Sequence, residues 1–122
     1  MAQTPRVQIR RIYDDPEDSD GARILVDRLW PRGISKDRAQ LTDWCKEVAP
    51  STDLRKWYSH DPARFDEFAD RYRTELTSDD EQKAALQKLK SFVAEGPVTL
   101  LTATKEPKIS EAEVLLRMLT GH

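Results

Sequence analysis

The chain has a single cysteine, Cys45, and only two histidines, His60 and His122. One thiol excludes an intrachain disulfide, and so thin a supply of His and Cys argues against a structural zinc site. No Asp/Glu spacing resembles a cation loop, so neither a metal nor a cofactor is expected. No apolar run approaches the roughly 20 residues that span a bilayer, and the start Met1-Ala2-Gln3-Thr4-Pro5-Arg6 lacks the apolar stretch of a signal peptide. The expected compartment is the cytoplasm. An excess of one charge sign is missing too. Twenty Lys and Arg stand against 22 Asp and Glu, a net charge of −2, which leaves room for a local basic patch but not for a broad nucleic-acid footprint.

What is present suits one small folded unit over residues 1–122, with 38% hydrophobic residues falling in periodic runs. Val7 to Tyr13 alternates weakly and reads as a peripheral strand, whereas Arg23 to Asp27 has the continuous apolar run of a central one. The acidic stretch Asp14 to Asp20 between them reads as a solvated turn, too short for a crossover helix, so the two strands form either a hairpin or a tightly connected parallel pair.

From Ser35 the period becomes helical. Leu41, Trp44, Cys45 and Val48 share one face, and Ser51 caps a second helix with Leu54, Trp57 and Tyr58. Asp61-Pro62 starts a third, striped by Phe65, Phe68, Ala69, Tyr72 and Leu76. Ser78 with Glu81, and Ser110 with Glu113, suggest capping boxes for two more, the last stopped by Gly121. Between those two lies a buried strand, Val98 to Thr102. The expectation is an α/β fold: a small three-stranded, at least partly parallel sheet packed by about five helices. If the Arg23 and Val98 strands are parallel neighbours, their carboxyl ends meet and form one cleft from the loops 27–33 and 103–109.

The stretch Val26-Asp27-Arg28-Leu29-Trp30-Pro31-Arg32-Gly33 puts two guanidiniums, a carboxylate and an indole at that edge, a mixture core packing does not ask for. Arg28 and Arg32 match phosphate or carboxylate geometry; the bland alternative is that Arg28 pairs with Asp27 or another acid and Arg32 is solvated. Trp30 fills the core, or stacks on a planar ligand. Gly33 supplies a positive φ for the turn into the next helix. His60 is the natural proton carrier, with Asp27 or Asp61 as its orienting partner, against the alternatives of a backbone-bonded histidine and an N-cap aspartate. Cys45 reads as a buried structural thiol.

That loop, with Ala49-Pro50-Ser51, Leu54-Arg55-Lys56-Trp57, His60-Asp61-Pro62, Tyr72-Arg73-Thr74-Glu75-Leu76 and Gly96-Pro97-Val98-Thr99-Leu100-Leu101, closely resembles the YeaO-like proteins, a bacterial family in the group called domain of unknown function 488 (DUF488). The resemblance spans nearly the whole chain. It implies a small cytosolic α/β protein with no assigned reaction. The chain departs from the family pattern after the last strand, where an aromatic, alanines, an Arg-Asp and a His-Asn pair give way to Thr102-Ala103-Thr104-Lys105-Glu106-Pro107-Lys108-Ile109. Two functions follow as expectations. One is binding of, or enzymatic action on, an anionic, phosphorylated or nucleotide-like small molecule at Asp27, Arg28, Trp30, Arg32 and Gly33, with His60 as the acid or base and Asp27 as the other catalytic residue. The other is a non-enzymatic protein- or nucleic-acid-interaction module using the same Arg/Trp loop.

Overall fold

Four parallel strands, β1 (Val7–Arg11), β2 (Ala22–Leu25), β3 (Asp43–Trp44) and β4 (Val98–Thr102), lie side by side in the order β1-β4-β2-β3. They belong to a computed structural model that describes residues 6–121. Five α-helices complete it: α1 (Lys36–Ala39), α2 (Thr52–Tyr58), α3 (Phe65–Ser78), α4 (Asp80–Glu95) and α5 (Glu111–Thr120). The α/β class, the helix number and the parallel β2–β4 neighbours agree with the sequence. β1 and β2 do not pair with each other; each pairs with β4, so neither a hairpin nor an adjacent pair forms.

The sheet has four strands where three were expected. The extra one sits inside the segment whose apolar spacing suggested a single long helix. That helix ends after one turn at Gln40, whose left-handed φ of 46° turns the chain back toward the sheet. The backbone N–H groups of Thr42 and Cys45 then donate to the carbonyls of Arg23 and Leu25 on β2, at 2.8 Å each. Sheet pairing, which sequence periodicity does not report, overrode a helical pattern. Two helix starts also moved. Asp61 caps a 3-10 turn, Pro62–Arg64, that runs into α3, and Asp79 rather than Ser78 caps α4 by accepting from the Gln82 N–H.

Pleating divides the sheet into two faces. Ile24, Val26, Val98 and Leu100 face α2 to α5 and join Phe68, Tyr72, Leu76, Leu89 and Leu115 in the main core. Each such fully buried large side chain contributes roughly 1.5–3 kcal/mol. Leu25 and Leu101 face the other way, into a smaller cluster with Ile12, Ile34 and Ala39, against which Trp30 and Trp44 pack. A polar lock fixes the corner before α2. Glu75 accepts from the Ser51 N–H (2.9 Å) and hydroxyl (2.5 Å) and from Gln82 (3.0 Å), and the Tyr72 hydroxyl donates to the Val48 carbonyl. Ala49-Pro50-Ser51 and Tyr72 to Leu76 therefore hold the fold.

The acidic stretch is only partly the solvated turn expected of it. Asp14, Asp15, Glu17 and Asp18 are exposed, but Asp20 is buried on the small-cluster face of the sheet and accepts from Arg23 (2.5 Å), Arg10 (3.0 Å) and Gln8 (3.2 Å). Burial alone would raise its pKa. The Glu17 backbone N–H and the two guanidiniums outweigh that and hold it below the ordinary aspartate value. Gly21 follows at φ 66°, where a Cβ would lie 2.3 Å from the Pro97 carbonyl oxygen, so only glycine brings Asp20 and β2 together here.

Candidate functional site

The carboxyl ends of β2 and β4 open into a cleft of about 460 Å³ between the loop 26–33, α2 and the start of α5. Open parallel sheets hold their ligands at such an edge. Asp27, Arg28, Trp30, Arg32 and His60, each singled out from the sequence, all line it. Gly33 does not; it makes the turn at its rim, with φ 76°.

The loop is held from behind. Trp30 Nε1 donates to the Ile34 carbonyl (2.7 Å), Trp44 Nε1 to the Asp27 carbonyl (2.7 Å), and the Tyr13 hydroxyl to the Arg32 carbonyl (3.1 Å). The two indoles meet edge to face at 5.3 Å, and Pro31 is buried. Trp30 thus packs on the small cluster with one side at the cleft. The alternative in which Arg28 pairs with Asp27 is not observed. Arg28 and Arg32 are exposed and form no ion pair or side-chain hydrogen bond among the described residues.

Asp27 is engaged inward. Its carboxylate accepts from the Thr102 hydroxyl (2.8 Å) and the Ala103 N–H (2.7 Å), which ties the end of β2 to the end of β4. Glu111, at the first position of α5, presents its carboxyl to the same carboxylate. Glu111 keeps some exposure as a residue, but its carboxyl is closely surrounded. That burial, then the hydrogen bond to Asp27 and its charge, push the Glu111 pKa well above the ordinary glutamate value despite the nearby Arg55.

His60 is brought to the cleft but not to Asp27, and no hydrogen bond joins them. It sits exposed at φ 52°, its ring 5.7 Å from that of Tyr58, directly before Asp61, which caps the following turn through the Ala63 N–H as expected. Cys45 is buried away from the cleft. Burial first, and Asp43 next, push its thiol up to about 11, consistent with a structural role. Among the described residues no cluster of three or more His, Cys, Asp or Glu is placed to hold a metal ion. No helix there is long and apolar enough to cross a membrane.

Sequence reasoning missed Glu111 and Arg55. Glu111 carries a usable signal: the N-terminus of a helix that follows a parallel strand faces the carboxyl edge, so the acid after the Ser110 cap falls beside the cleft. Arg55 flanks Leu54 and Tyr58 on the apolar stripe of α2 and looks like an ordinary helix-surface arginine until the fold is known.

The chain as a whole is similar to other proteins. A family model described as the inactive DUF488-N3 subclade matches residues 6–122. An uncharacterized protein of Mycobacterium tuberculosis is 47% identical over 121 residues, 99% of each chain, and its Mycobacterium bovis counterpart is equally similar. Escherichia coli YeaO is 40% identical over 109 residues, 89% of this chain and 92% of that protein. No solved structure matches the chain.

Proposed function

Because this chain belongs to the YeaO-like family of DUF488 proteins, we propose that it binds an anionic small molecule, phosphorylated or nucleotide-like, in the cleft at the end of β2 and β4, and that binding rather than turnover is its task. One observation carries the reading: Arg28 and Arg32 stand at the cleft without a partner for their side chains among the described residues, on a loop fixed from behind by Tyr13, Trp30 and Trp44. A preorganised pair of guanidinium forks loses little entropy on meeting a phosphate or carboxylate. Three guanidiniums, Arg28, Arg32 and Arg55, line the cleft against two carboxyls, Asp27 and Glu111, and the raised pKa of Glu111 favours its neutral form, which tilts the cleft toward positive charge.

The roles then divide. Arg28 and Arg32 take the anion, Trp30 offers a flat apolar wall, and Gly33 allows the turn that aims Arg32. His60 contributes a hydrogen bond at the mouth. The pairing of His60 with Asp27 is the part of the catalytic expectation that finds least support, since the Asp27 carboxylate is bonded to Thr102 and Ala103 instead. The word "inactive" in the description of the matching subclade points the same way.

The test is a thermal-shift screen of nucleotides, sugar phosphates and carboxylates on the wild type and on Arg32→Ala. The reading expects at least one compound that stabilises the wild type and loses its effect in the variant. A screen in which no compound distinguishes the two proteins overturns it. The alternative, an interaction module using the same loop, draws on Leu29, which is 72% exposed at the loop tip. It expects silence in the screen and a partner whose binding falls with Leu29→Ala.

A further inference from the structure

The loop arginines are at the rim of the cleft; a third lies deeper, on the opposite wall. Arg55 rises from α2 and lines the cleft beside Glu111. It is half-buried, and its Nε is shut off from solvent with no hydrogen-bond partner among the described residues. Its one side-chain contact by hydrogen bond is a long one, 3.4 Å from a terminal nitrogen to the Thr52 hydroxyl. Other partly or fully buried arginines here are better satisfied. Arg23 bonds Asp20 and the Ala39 carbonyl, and Arg11 bonds the carbonyls of Thr104 and Ala103. An enclosed guanidinium N–H without an acceptor is rare in a folded protein and asks for an explanation.

The acids nearest to Arg55 do not supply that acceptor. Both Asp27 oxygens already accept, one from the Thr102 hydroxyl and the other from the Ala103 N–H, and Glu111 is turned to Asp27. Since the Asp27 carboxylate is engaged by the Thr102 hydroxyl and the Ala103 N–H, and no ion pair joins Arg55 to an acid among the described residues, its guanidinium remains available to an incoming acceptor. An oxygen of an entering anion would meet it.

We propose that Arg55 is the deep anchor of the anion site: its Nε–H edge receives one oxygen of a phosphate or carboxylate whose other oxygens are held by Arg28 and Arg32 at the rim. This rests on the anion-binding reading above and assigns it a ligand geometry. The anionic group enters first, between α2 and the loop, and the remainder of the ligand lies outward against Trp30. An anion gripped by three guanidiniums from two walls is a compact, multiply charged head group, so phosphate monoesters are favoured over single carboxylates.

The full chain, with Arg55→Met, Arg55→Lys and Arg28→Ala variants, tests this with inorganic phosphate as the probe, read by ³¹P line broadening, together with the melting temperature in phosphate-free buffer. Arg55→Met is expected to weaken phosphate binding at least about tenfold, the worth of one charge-assisted hydrogen bond. The phosphate-free melting temperature should hold or rise, because the variant removes an unsatisfied N–H and keeps the aliphatic stem. Arg55→Lys should fold normally and bind with an intermediate loss. Equal binding by wild type and Arg55→Met overturns the anchor, as does a fall in the phosphate-free melting temperature of both Arg55 variants, which marks a structural arginine. If Arg28→Ala weakens binding while the Arg55 variants do not, the cleft reading stands and the anchor fails. If the wild type neither broadens phosphate nor responds to any anion in the screen, both fail.

Discussion

Asp20 and Asp27 stand at opposite ends of β2, and arginines surround both, yet the two neighbourhoods are built to opposite ends. Around Asp20 every charge is met. The carboxylate is buried, Arg10 and Arg23 bond it at 3.0 and 2.5 Å, Gln8 adds a third donor, and the Thr99 hydroxyl holds its backbone carbonyl at 2.7 Å. Around Asp27 the carboxylate is bonded to the Thr102 hydroxyl and the Ala103 N–H at the end of β4, while Arg28, Arg32 and Arg55 lack a carboxylate partner among the described residues. A closed ion cluster locks the register of three strands; an open one leaves guanidiniums facing a cleft. Residue type does not separate these uses, but the pairing of each guanidinium does.

The largest effect expected from breaking this contrast is at the closed end. Asp20→Asn leaves the buried Arg23 without its counter-charge and Arg10 with Glu17 alone (3.1 Å), and should cost about 3 kcal/mol in urea unfolding at neutral pH. The pH dependence has a definite sign. Because the folded-state pKa of Asp20 is depressed, its contribution is complete above the ordinary aspartate range and disappears as pH falls through the folded value, so wild type and variant should converge in strong acid. Next, Thr102→Val removes the hydroxyl that meets Asp27 while keeping the volume. A hydrogen bond to a charged group sets the expected loss at about 1.5 kcal/mol.

Glu111→Gln should act in the other direction. The folded pKa of Glu111 is raised, so its stabilising contribution is complete below the ordinary glutamate value and is lost as pH rises through the folded one. Glutamine cannot ionise, and the variant should be the more stable protein in mild alkali, with a flatter stability–pH curve by thermal unfolding at several pH values. Arg28→Ala and Arg32→Ala, the smallest perturbations, should leave the urea midpoint unmoved, since neither side chain has a partner to lose. A clear loss of stability in either would mean that the loop arginines are structural after all.

Much of this was readable before the fold was known. The continuous apolar run of Ile24 to Val26 and that of Val98 to Leu101 marked two central parallel strands, and their shared carboxyl edge followed from the sense of the pairing. The stripe Phe65, Phe68, Tyr72, Leu76 marked α3, and Gly33 marked a turn of positive φ. What escaped depends on contacts distant in sequence. β3 is two residues long and exists because Thr42 and Cys45 find acceptors on β2. Asp20 looked like one more acid in a soluble run because its partners, Arg10 and Arg23, are hidden inside strands. Arg55 and Glu111 belong to helices whose local pattern is unremarkable; only packing carries them to the loop 26–33. Sequence located the edge of the site, and tertiary structure supplied its floor and far wall.

The central claim is that the loop arginines are held open for an anion while those of the Asp20 cluster are not. Arginine Nε–H resonances resolved by NMR and titrated with inorganic phosphate test it most directly. The account predicts saturable shifts at Arg28 and Arg32, with Arg10 and Arg23 unmoved. Shifts of similar size at all four, or none at Arg28 and Arg32, would contradict it.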